Sequence, residues 1–382
     1  MGQMILRGGM VWDGLSEAAA RADVLVTDGQ IEAVGEGFGG ARDVDVSGLT
    51  IVPGLIEGHA HLCFDGTAGW RATYDSDSSH KMLLRMAANG RKMLRAGITT
   101  VRDLGAPTEL AIELRNAVAA GLTEGPRLIV AGAPVTTTGG HCWFMGGECD
   151  GVDGMRKAVR ERVKSGVDVI KVMASGGNMT PRTNPFQPQF TVEELSAGVA
   201  EAHRLNRKVT AHAHGIAGVR VAVDAGVDCI EHCSFTVPGG YDFDKDLIRR
   251  IADDGIVVSP TVSIGYRRWP DDGLKRARAE ILSEMLASEC RVVMSTDCGI
   301  PNVPHEALAA AMDVFAEATV SLPVDVLKLA TSRSAELLEL KDRGTIEPGK
   351  VADLLVVEGN PLENLMDLER VRMVVKGGEI VD

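Results

Sequence analysis

Four segments along the chain repeat the same order of polar and apolar positions. They read RAGITTVRD (95–103), KSGVDVIKV (164–172), DAGVDCIEH (224–232) and DDGIVVSPT (253–261). Each follows a stretch with helical periodicity, and its glycine comes just before a short run rich in Val and Ile. The pattern predicts a helix that ends at a glycine in the left-handed conformation and leads directly into a buried strand.

Four further apolar runs of strand length lie before, between and after these segments. They occupy 51–59, 126–132, 208–213 and 291–297, and the last predicted helices fall at 304–320 and 323–339. Continuous apolar strands that alternate with amphipathic helices are typical of a parallel sheet covered on both faces. Eight such units predict an α/β fold in the form of a (β/α)8 TIM barrel. An open, doubly wound sheet is the alternative.

The two ends of the chain show a different, shorter pattern. ADVLVTDGQIEAVG (22–35) and RVRMVVKGGEIVD (370–382) alternate apolar and polar positions and turn at glycine-containing pairs. Neither end has enough strands for a stable sheet alone. We therefore expect a small β-sandwich domain built from residues 1–52 plus 345–382, with a barrel domain at 53–344 inserted between its halves.

Composition narrows the class of protein. Among 382 residues, 53 acidic side chains against 40 basic ones give a net charge of −13. So acidic a chain is a poor candidate for binding nucleic acid or an anionic membrane. The seven cysteines are odd in number and form no CxxC pair, and we find neither a signal peptide nor a membrane-spanning run. Reduced thiols and a cytoplasmic location are therefore expected.

Candidate chemistry collects where the predicted barrel strands end, and barrel enzymes carry their catalytic residues on that face. The residues are His59, His61, Lys171, His212, His232 and Asp297. A spacing of two directs His59 and His61 to the same side of a strand, where two imidazoles can chelate a metal such as Zn²⁺. Lys171 is the one charge in an apolar run. From its chemistry alone, a neutral or salt-bridged lysine is the simpler interpretation.

Longer motifs resemble those of a known family. PGLIEGHAHL, IKVMASGG, AHAHG, IEHCS, STDCG and GTIEPGKVADLLVVEGNPLEN occur in this order and cover nearly the whole chain. They are similar to the amidohydrolase superfamily and, within it, to the imidazolonepropionase-related and prolidase-like branch. The resemblance implies two divalent metal ions, usually zinc. It assigns the more buried ion to His59, His61 and Asp297, and the exposed ion to His212 and His232.

The resemblance also implies a hydrolase of carbon–nitrogen bonds in a small-molecule substrate. CO₂ would convert Lys171 to a carbamate that bridges both ions, which removes the difficulty of a buried ammonium. Two cations activate a bridging hydroxide, and Asp297 would take its proton and return it to the leaving amine. Xaa-Pro or other dipeptides, or N-acyl amino acids, are the expected substrates. The alternatives are a cyclic-amide hydrolase or deaminase of the imidazolonepropionase type and a lactone or ester hydrolase. Relatives often assemble, so the sequence leaves a homo-oligomer open.

Other polar side chains are candidates for contact with the substrate. His141, in the TGGH loop after the third strand, is a catalytic candidate that would help to hold the oxyanion. AHAHG offers two histidines for one ligand, and we assign the first to the metal and His214 to the substrate side. Arg182 is a candidate for binding a substrate carboxylate. Tyr266 is a candidate for the floor of a pocket, and His305 is expected at the surface.

Overall fold

The computed structural model describes residues 2–269 and 271–381. Its strands are β1 (Gln3–Val11), β2 (Ala20–Thr27), β3 (Gln30–Gly35), β4 (Arg42–Asp45), β5 (Leu49–Pro53), β6 (Leu55–Ala60), β7 (Ile98–Asp103), β8 (Arg127–Val130), β9 (Ile170–Met173), β10 (Val209–Gly215), β11 (Cys229–Val237), β12 (Gly240–Tyr241), β13 (Val257–Ser259), β14 (Arg291–Val292), β15 (Leu354–Glu358), β16 (Val371–Lys376) and β17 (Glu379–Ile380).

Helices separate most of the central strands. They are α1 (Trp70–Ser76), α2 (Ser79–Arg95), α3 (Thr108–Ala119), α4 (Gly151–Ser165), α5 (Val192–Arg204), α6 (Ile216–Asp224), α7 (Lys245–Asp253), α8 (Asp272–Ala287), α9 (Leu308–Thr319), α10 (Pro323–Leu329) and α11 (Ser332–Leu337). Short 3-10 helices lie at Trp143–Met145, Ile264–Arg268 and Leu365–Glu369. No helix in the described part of the chain has both the length and the apolar character needed to cross a bilayer.

Eight parallel strands follow one another in a closed order. β6, β7 and β8 pair with one another, and so do β9, β10, β11, β13 and β14. Backbone hydrogen bonds bridge the two sets: Asp168 N donates to Val130 O at 2.9 Å, and Gly58 N donates to Met294 O at 3.0 Å. The first strand is therefore linked both to the second and to the segment that follows the last, as the predicted barrel requires. An open sheet would leave these edges unpaired.

The predicted helix–glycine–strand junctions are confirmed. Gly97, Gly166, Gly226 and Gly255 have φ values from 67° to 94°, and each stands at the end of a helix before a barrel strand. Glycine adopts this conformation without the steric cost that a Cβ imposes. Gly97 has a second role, because a Cβ there would lie 2.6 Å from the side chain of Leu355 in the terminal sheet. The terminal sheet therefore packs closely against the barrel at this point.

The helices predicted over 304–320 and 323–339 are shorter in the structure. The first begins only at Leu308, and the second is divided into α10 and α11. The division falls at Thr331, whose φ of −133° and ψ of −102° are not helical. Its hydroxyl donates to the carbonyl of Leu327, and this side-chain bond competes with the continuation of the helix.

The two ends of the chain form one hydrogen-bonded sheet. Its order is β17-β16-β15-β5-β1-β2-β3, with β4 paired to β1. A register shift between Leu6 and Gly9 allows the two halves of β1 to pair with β4 and β5. Leu6, Val24 and Leu354 belong to an apolar cluster separate from the main core. The predicted sandwich thus takes the form of a single continuous sheet, and the domain boundaries stay a prediction.

Candidate metal centre

The six predicted ligands lie at one end of the ring of strands. His59 ends β6, Lys171 lies in β9, His212 in β10 and His232 in β11, while His61 and Asp297 follow β6 and β14. The carboxyl ends of parallel barrel strands form one face, and this brings them together. All are buried except Asp297, whose side chain is 14 % exposed.

The first ligand group consists of His59, His61 and Asp297. Oδ1 of Asp297 lies 3.1 Å from Nε2 of His61 and 3.4 Å from Nε2 of His59. The two imidazole nitrogens are 3.2 Å apart, and one ligand atom from each residue lies within 4.8 Å of the others. Oδ1 of Asp297 is buried and, among the described residues, accepts no hydrogen bond of good geometry.

The outer nitrogens of both imidazoles in this group contact acceptors. Nδ1 of His59 lies 2.7 Å from Oε2 of Glu231, and Nδ1 of His61 lies 3.0 Å from the carbonyl oxygen of Gly105. Both contacts assign the proton to Nδ1, and burial lowers the pKa of His59 to about 4, which favours its neutral form. The lone pair then lies on Nε2, close to the carboxylate of Asp297. The nitrogen lone pairs and the carboxylate repel one another unless a cation lies between them. The three side chains therefore fit a divalent metal such as Zn²⁺.

The second ligand group consists of His212, His214 and His232, whose ligand atoms also lie within 4.8 Å of one another. Nδ1 of His212 is 2.8 Å from Nε2 of His232, and Nε2 of His212 donates to the Gly176 carbonyl at 3.0 Å. His214 joins the group although we assigned it to the substrate side. Its Nδ1 lies 2.8 Å from Oγ of Ser234. This hydrogen bond uses Nδ1 and not Nε2. The choice of His212 over His214 as the metal ligand stays a prediction.

Lys171 is almost fully buried, and its charge acts on His59 of the first group and on His212 and His232 of the second. Burial lowers the pKa of its amine, while the charges of Glu231 and Asp297 oppose this shift. No carboxylate among the residues the structure describes forms an ion pair with it at 4.0 Å or less. The two groups themselves adjoin, since the ring centroids of His59 and His232 are 5.2 Å apart. The salt-bridged interpretation of Lys171 is therefore not supported.

Beneath the first ligand group lies a buried ion pair that sequence reasoning missed. Nη2 of Arg102 donates to Oε1 of Glu231 at 2.8 Å, and Nε of Arg102 donates to the Gly58 carbonyl at 2.7 Å. Burial opposes the charge of Glu231, but Arg102 and His59 hold its pKa well below the usual value. The available signal was that each, like Lys171, is a charged residue within a run predicted to form a buried strand.

Glu57 connects the first strand to the segment after the last. Its carboxylate accepts from the backbone N–H of His59 and of Thr296, both at 2.9 Å, and from the Thr296 hydroxyl at 2.7 Å. Burial raises the pKa of Glu57 to about 7. The side chain therefore holds in place the backbone that carries His59 and Asp297.

His141 lies in the loop after β8, and its ring centroid is 4.7 Å from that of His212. The ring is buried, and Nδ1 has no hydrogen-bond partner among the described residues. Burial lowers the pKa of His141 to about 3, so the ring is neutral. On its other side Gly177 approaches closely, because a Cβ there would lie 2.4 Å from Nε2. A buried polar nitrogen without a partner is consistent with the predicted contact to substrate.

Of the remaining candidates, Arg182 lies in a loop and Tyr266 in the short 3-10 helix Ile264–Arg268. Arg182 is exposed, has φ of 70° and forms no ion pair with a described residue. Tyr266 donates its hydroxyl to the Lys275 carbonyl at 2.5 Å, and its ring lies 5.1 Å from that of Trp269. Its hydroxyl is therefore already used, and only its ring is available to a substrate.

His305 does not lie at the surface, so that prediction was wrong. The residue is buried, and its Nε2 lies 3.2 Å from the carbonyl oxygen of His61. The reason is that α9 begins only at Leu308, which leaves His305 in the preceding loop, folded against the first ligand group.

Buried imidazoles and a carboxylate at the carboxyl ends of several parallel strands are typical of barrel hydrolases. The model of the amidohydrolase family matches residues 50–381, and the chain belongs to this family. It is an enzyme that hydrolyses carbon–nitrogen bonds. The family resemblance predicted from the motifs is confirmed.

Several relatives match almost the whole chain. An ochratoxinase from Aspergillus niger is 26 % identical, over 98 % of this chain and 86 % of its own length. An imidazolonepropionase from Fusobacterium nucleatum is 23 % identical, over 94 % of this chain and 89 % of its own length. The crystal structure of a Xaa-Pro dipeptidase with bound methionine covers both chains completely, with a TM-score of 0.89 and 27 % identity.

Proposed function

We propose that this protein is a binuclear metal-dependent hydrolase with a (β/α)8 barrel, and that it cleaves the C–N amide bond of a dipeptide, such as Xaa-Pro, or of an N-acyl amino acid. The observation that carries the proposal is the contact between the two ligand groups, with the buried, unpaired Lys171 beside both. Similarity to a Xaa-Pro dipeptidase over the whole chain supports the peptide class.

The residues present fit two divalent cations, and zinc is the simplest choice for imidazole and carboxylate donors. The first ligand group would hold one cation, and His212 and His232 would hold the other. Burial lowers the pKa of Lys171 and so favours the neutral amine, the form that reacts with CO₂ to give a carbamate. Such a carbamate would bridge the two ions. When bound, the cations supply a water of lowered pKa and polarise the substrate carbonyl.

Asp297 is the proton carrier of the proposed reaction. Its carboxylate lies among the ligand atoms, and its buried Oδ1 accepts no hydrogen bond of good geometry among the described residues. It would accept a proton as water attacks the carbonyl carbon and return that proton to the leaving nitrogen. One residue can serve both steps because the attack and the departure occur on the same carbon.

Neutral donors complete the proposed site. His141 would donate a ring N–H to the developing oxyanion, since its Nδ1 has no partner among the described residues. His214 would contact the substrate through Nε2, because its Nδ1 is held by Ser234. Arg182 is a candidate partner for a substrate carboxylate, and the ring of Tyr266 for an apolar contact. The cytoplasmic location and a homo-oligomeric state stay predictions.

A substrate panel tests this function. The metal-loaded protein would be assayed on Xaa-Pro dipeptides, N-acyl amino acids, imidazolone-type rings and lactones, together with its metal content. We expect turnover of an amide from the first two classes and about two metal equivalents per chain. Full activity with one equivalent would overturn the binuclear centre, and turnover restricted to rings or lactones would overturn the substrate class.

A further inference from the structure

A cavity lies at the end of the ring of strands that is opposite the two ligand groups. Its volume is about 830 Å³. It is lined by residues at the beginnings of successive strands, among them Val209 of β10, Cys229 of β11 and Val257 of β13. The ligand histidines stand further along the same strands, so the cavity is distinct from the candidate metal centre. Leu338, which follows α11, lines it as well.

Every acidic side chain around this cavity contacts a basic one. Five carboxylates line it, and each lies 2.8 to 3.6 Å from the nitrogen of an Arg or Lys side chain: Asp168, Asp228, Asp254, Glu336 and Glu339. Asp228 and Glu339 share one cation, the amine of Lys208, so the lining keeps some negative charge beside that lysine. Since each carboxylate is already held by a basic side chain, the acidic lining does not by itself indicate a cation site.

Arg291 differs from the other charged groups in the lining. It stands at the start of β14 and is exposed, and its Nη1 donates to the Gly255 carbonyl at 3.2 Å. Among the described residues no carboxylate forms an ion pair with it, which leaves its positive charge uncompensated. A guanidinium in this position offers further N–H groups to a planar anion such as a carboxylate.

Arg102 provides a second, buried donor in the same cavity. It is 4 % exposed, and its Nε and Nη2 are bonded to Gly58 and Glu231. No described residue accepts a hydrogen bond from Nη1. Nη1 is not one of the buried side-chain atoms that lack a partner among the described residues, so it is open to the cavity. Because Glu231 already balances the charge of Arg102, the partner that suits Nη1 is a neutral oxygen.

We propose that this cavity is a binding site for a small organic carboxylate. The charged group of the ligand pairs with Arg291, and its apolar body lies among Val209, Val257 and Leu338. Any neutral oxygen on the ligand, or a water, accepts from Nη1 of Arg102. The site requires neither the metal ions nor the amide substrate, so it stands apart from the proposed function.

Ligand binding can be measured by ¹⁹F NMR on the metal-loaded enzyme. The probe is 4-fluorobenzoate, and 4-fluorobenzamide is the uncharged control of the same shape. We expect the benzoate to bind and the Arg291→Gln substitution to weaken it at least about fivefold, while Arg291→Lys, which keeps the charge, weakens it less. Neither substitution touches the ligand groups, so the amide-hydrolysis assay reports on a separate question.

A cavity-filling variant locates the bound probe. In Leu338→Trp the larger ring occupies the cavity, and we expect benzoate binding to be lost. Leu322→Trp introduces the same ring at a position that is 64 % exposed and outside the lining, and it should bind like the wild type. Unchanged binding in Leu338→Trp would place the probe elsewhere, at the metal ions for example, and would overturn the proposal. Equal affinity for the benzamide, or no binding at about 10 mM, would overturn it too.

Discussion

Oε2 of Glu231 lies 2.7 Å from Nδ1 of His59, so a buried carboxylate on β11 orients an imidazole on β6. The same carboxylate accepts from Arg102, whose guanidinium lies 2.8 Å from the other oxygen. A carboxylate that accepts from the outer nitrogen of a ligand histidine fixes its tautomer and makes its inner nitrogen more basic. Glu231 is therefore a positioning residue for the candidate metal centre, although it lies outside both ligand groups.

The first prediction concerns this contact. Glu231→Gln keeps the side-chain shape but removes the charge, so His59 should lose its orientation and metal affinity should fall about 10- to 100-fold. A chelator titration followed by metal analysis measures the loss. Glu339→Gln is the matched control. Glu339 is exposed and lies at the end of the ring of strands opposite the ligand groups. If the Glu231→Gln protein retains metal as well as the control does, Glu231 does not act through His59.

The alternation of strands and helices, the glycine junctions and the grouping of His59, His61 and Asp297 could be predicted because each depends on local pattern. A run of Val and Ile after a glycine predicts a buried strand, and the end of that strand places a residue such as His59 on the common face. The pattern could not give Arg102 as the partner of Glu231. Periodicity tells which side of a strand a residue faces, but not which residue it meets across the barrel.

Loop residues were less predictable for a related reason. His305 was expected at the surface because a helix was predicted from 304, whereas the helix starts four residues later and the loop before it folds inward. The contact of Gly177 with His141 joins two loops, and no sequence spacing relates their positions. Loop geometry depends on the packing of the whole barrel, which a single sequence does not show.

Removal of Lys171 tests the bridging role. Lys171→Ala should abolish amide hydrolysis, because the two ions would lose their shared ligand. Short carboxylic acids should restore part of the activity by taking the place of the carbamate. The rate with and without acetate or propionate measures this rescue, and Lys208→Ala, at a largely exposed lysine, serves as the control. Full activity of Lys171→Ala without any added acid would contradict the bridging role.

Replacement of Asp297 separates proton transfer from metal binding. Asp297→Asn keeps an oxygen donor near His61 but cannot carry the proton, so most of the metal should stay while kcat falls by about 10² to 10⁴. Steady-state kinetics and metal analysis of the same preparation give the two quantities. A variant that turns over substrate at the wild-type rate would exclude Asp297 as the proton carrier, and complete loss of metal would show that its main role is as a ligand.

The close approach of Gly177 to His141 gives a test that removes no functional side chain. A Cβ at residue 177 would lie 2.4 Å from Nε2 of His141, so Gly177→Ala must displace the imidazole or its own loop. If His141 holds the oxyanion, kcat should fall by about 10- to 100-fold, and KM should change much less. Gly39→Ala is the matched control, because nothing lies within 4 Å of a Cβ at that position.

The His141→Ala protein should resemble Gly177→Ala in kcat. The double variant should lose little more activity than either single variant, since both changes act on one group. Wild-type kinetics in His141→Ala would remove His141 from the reaction.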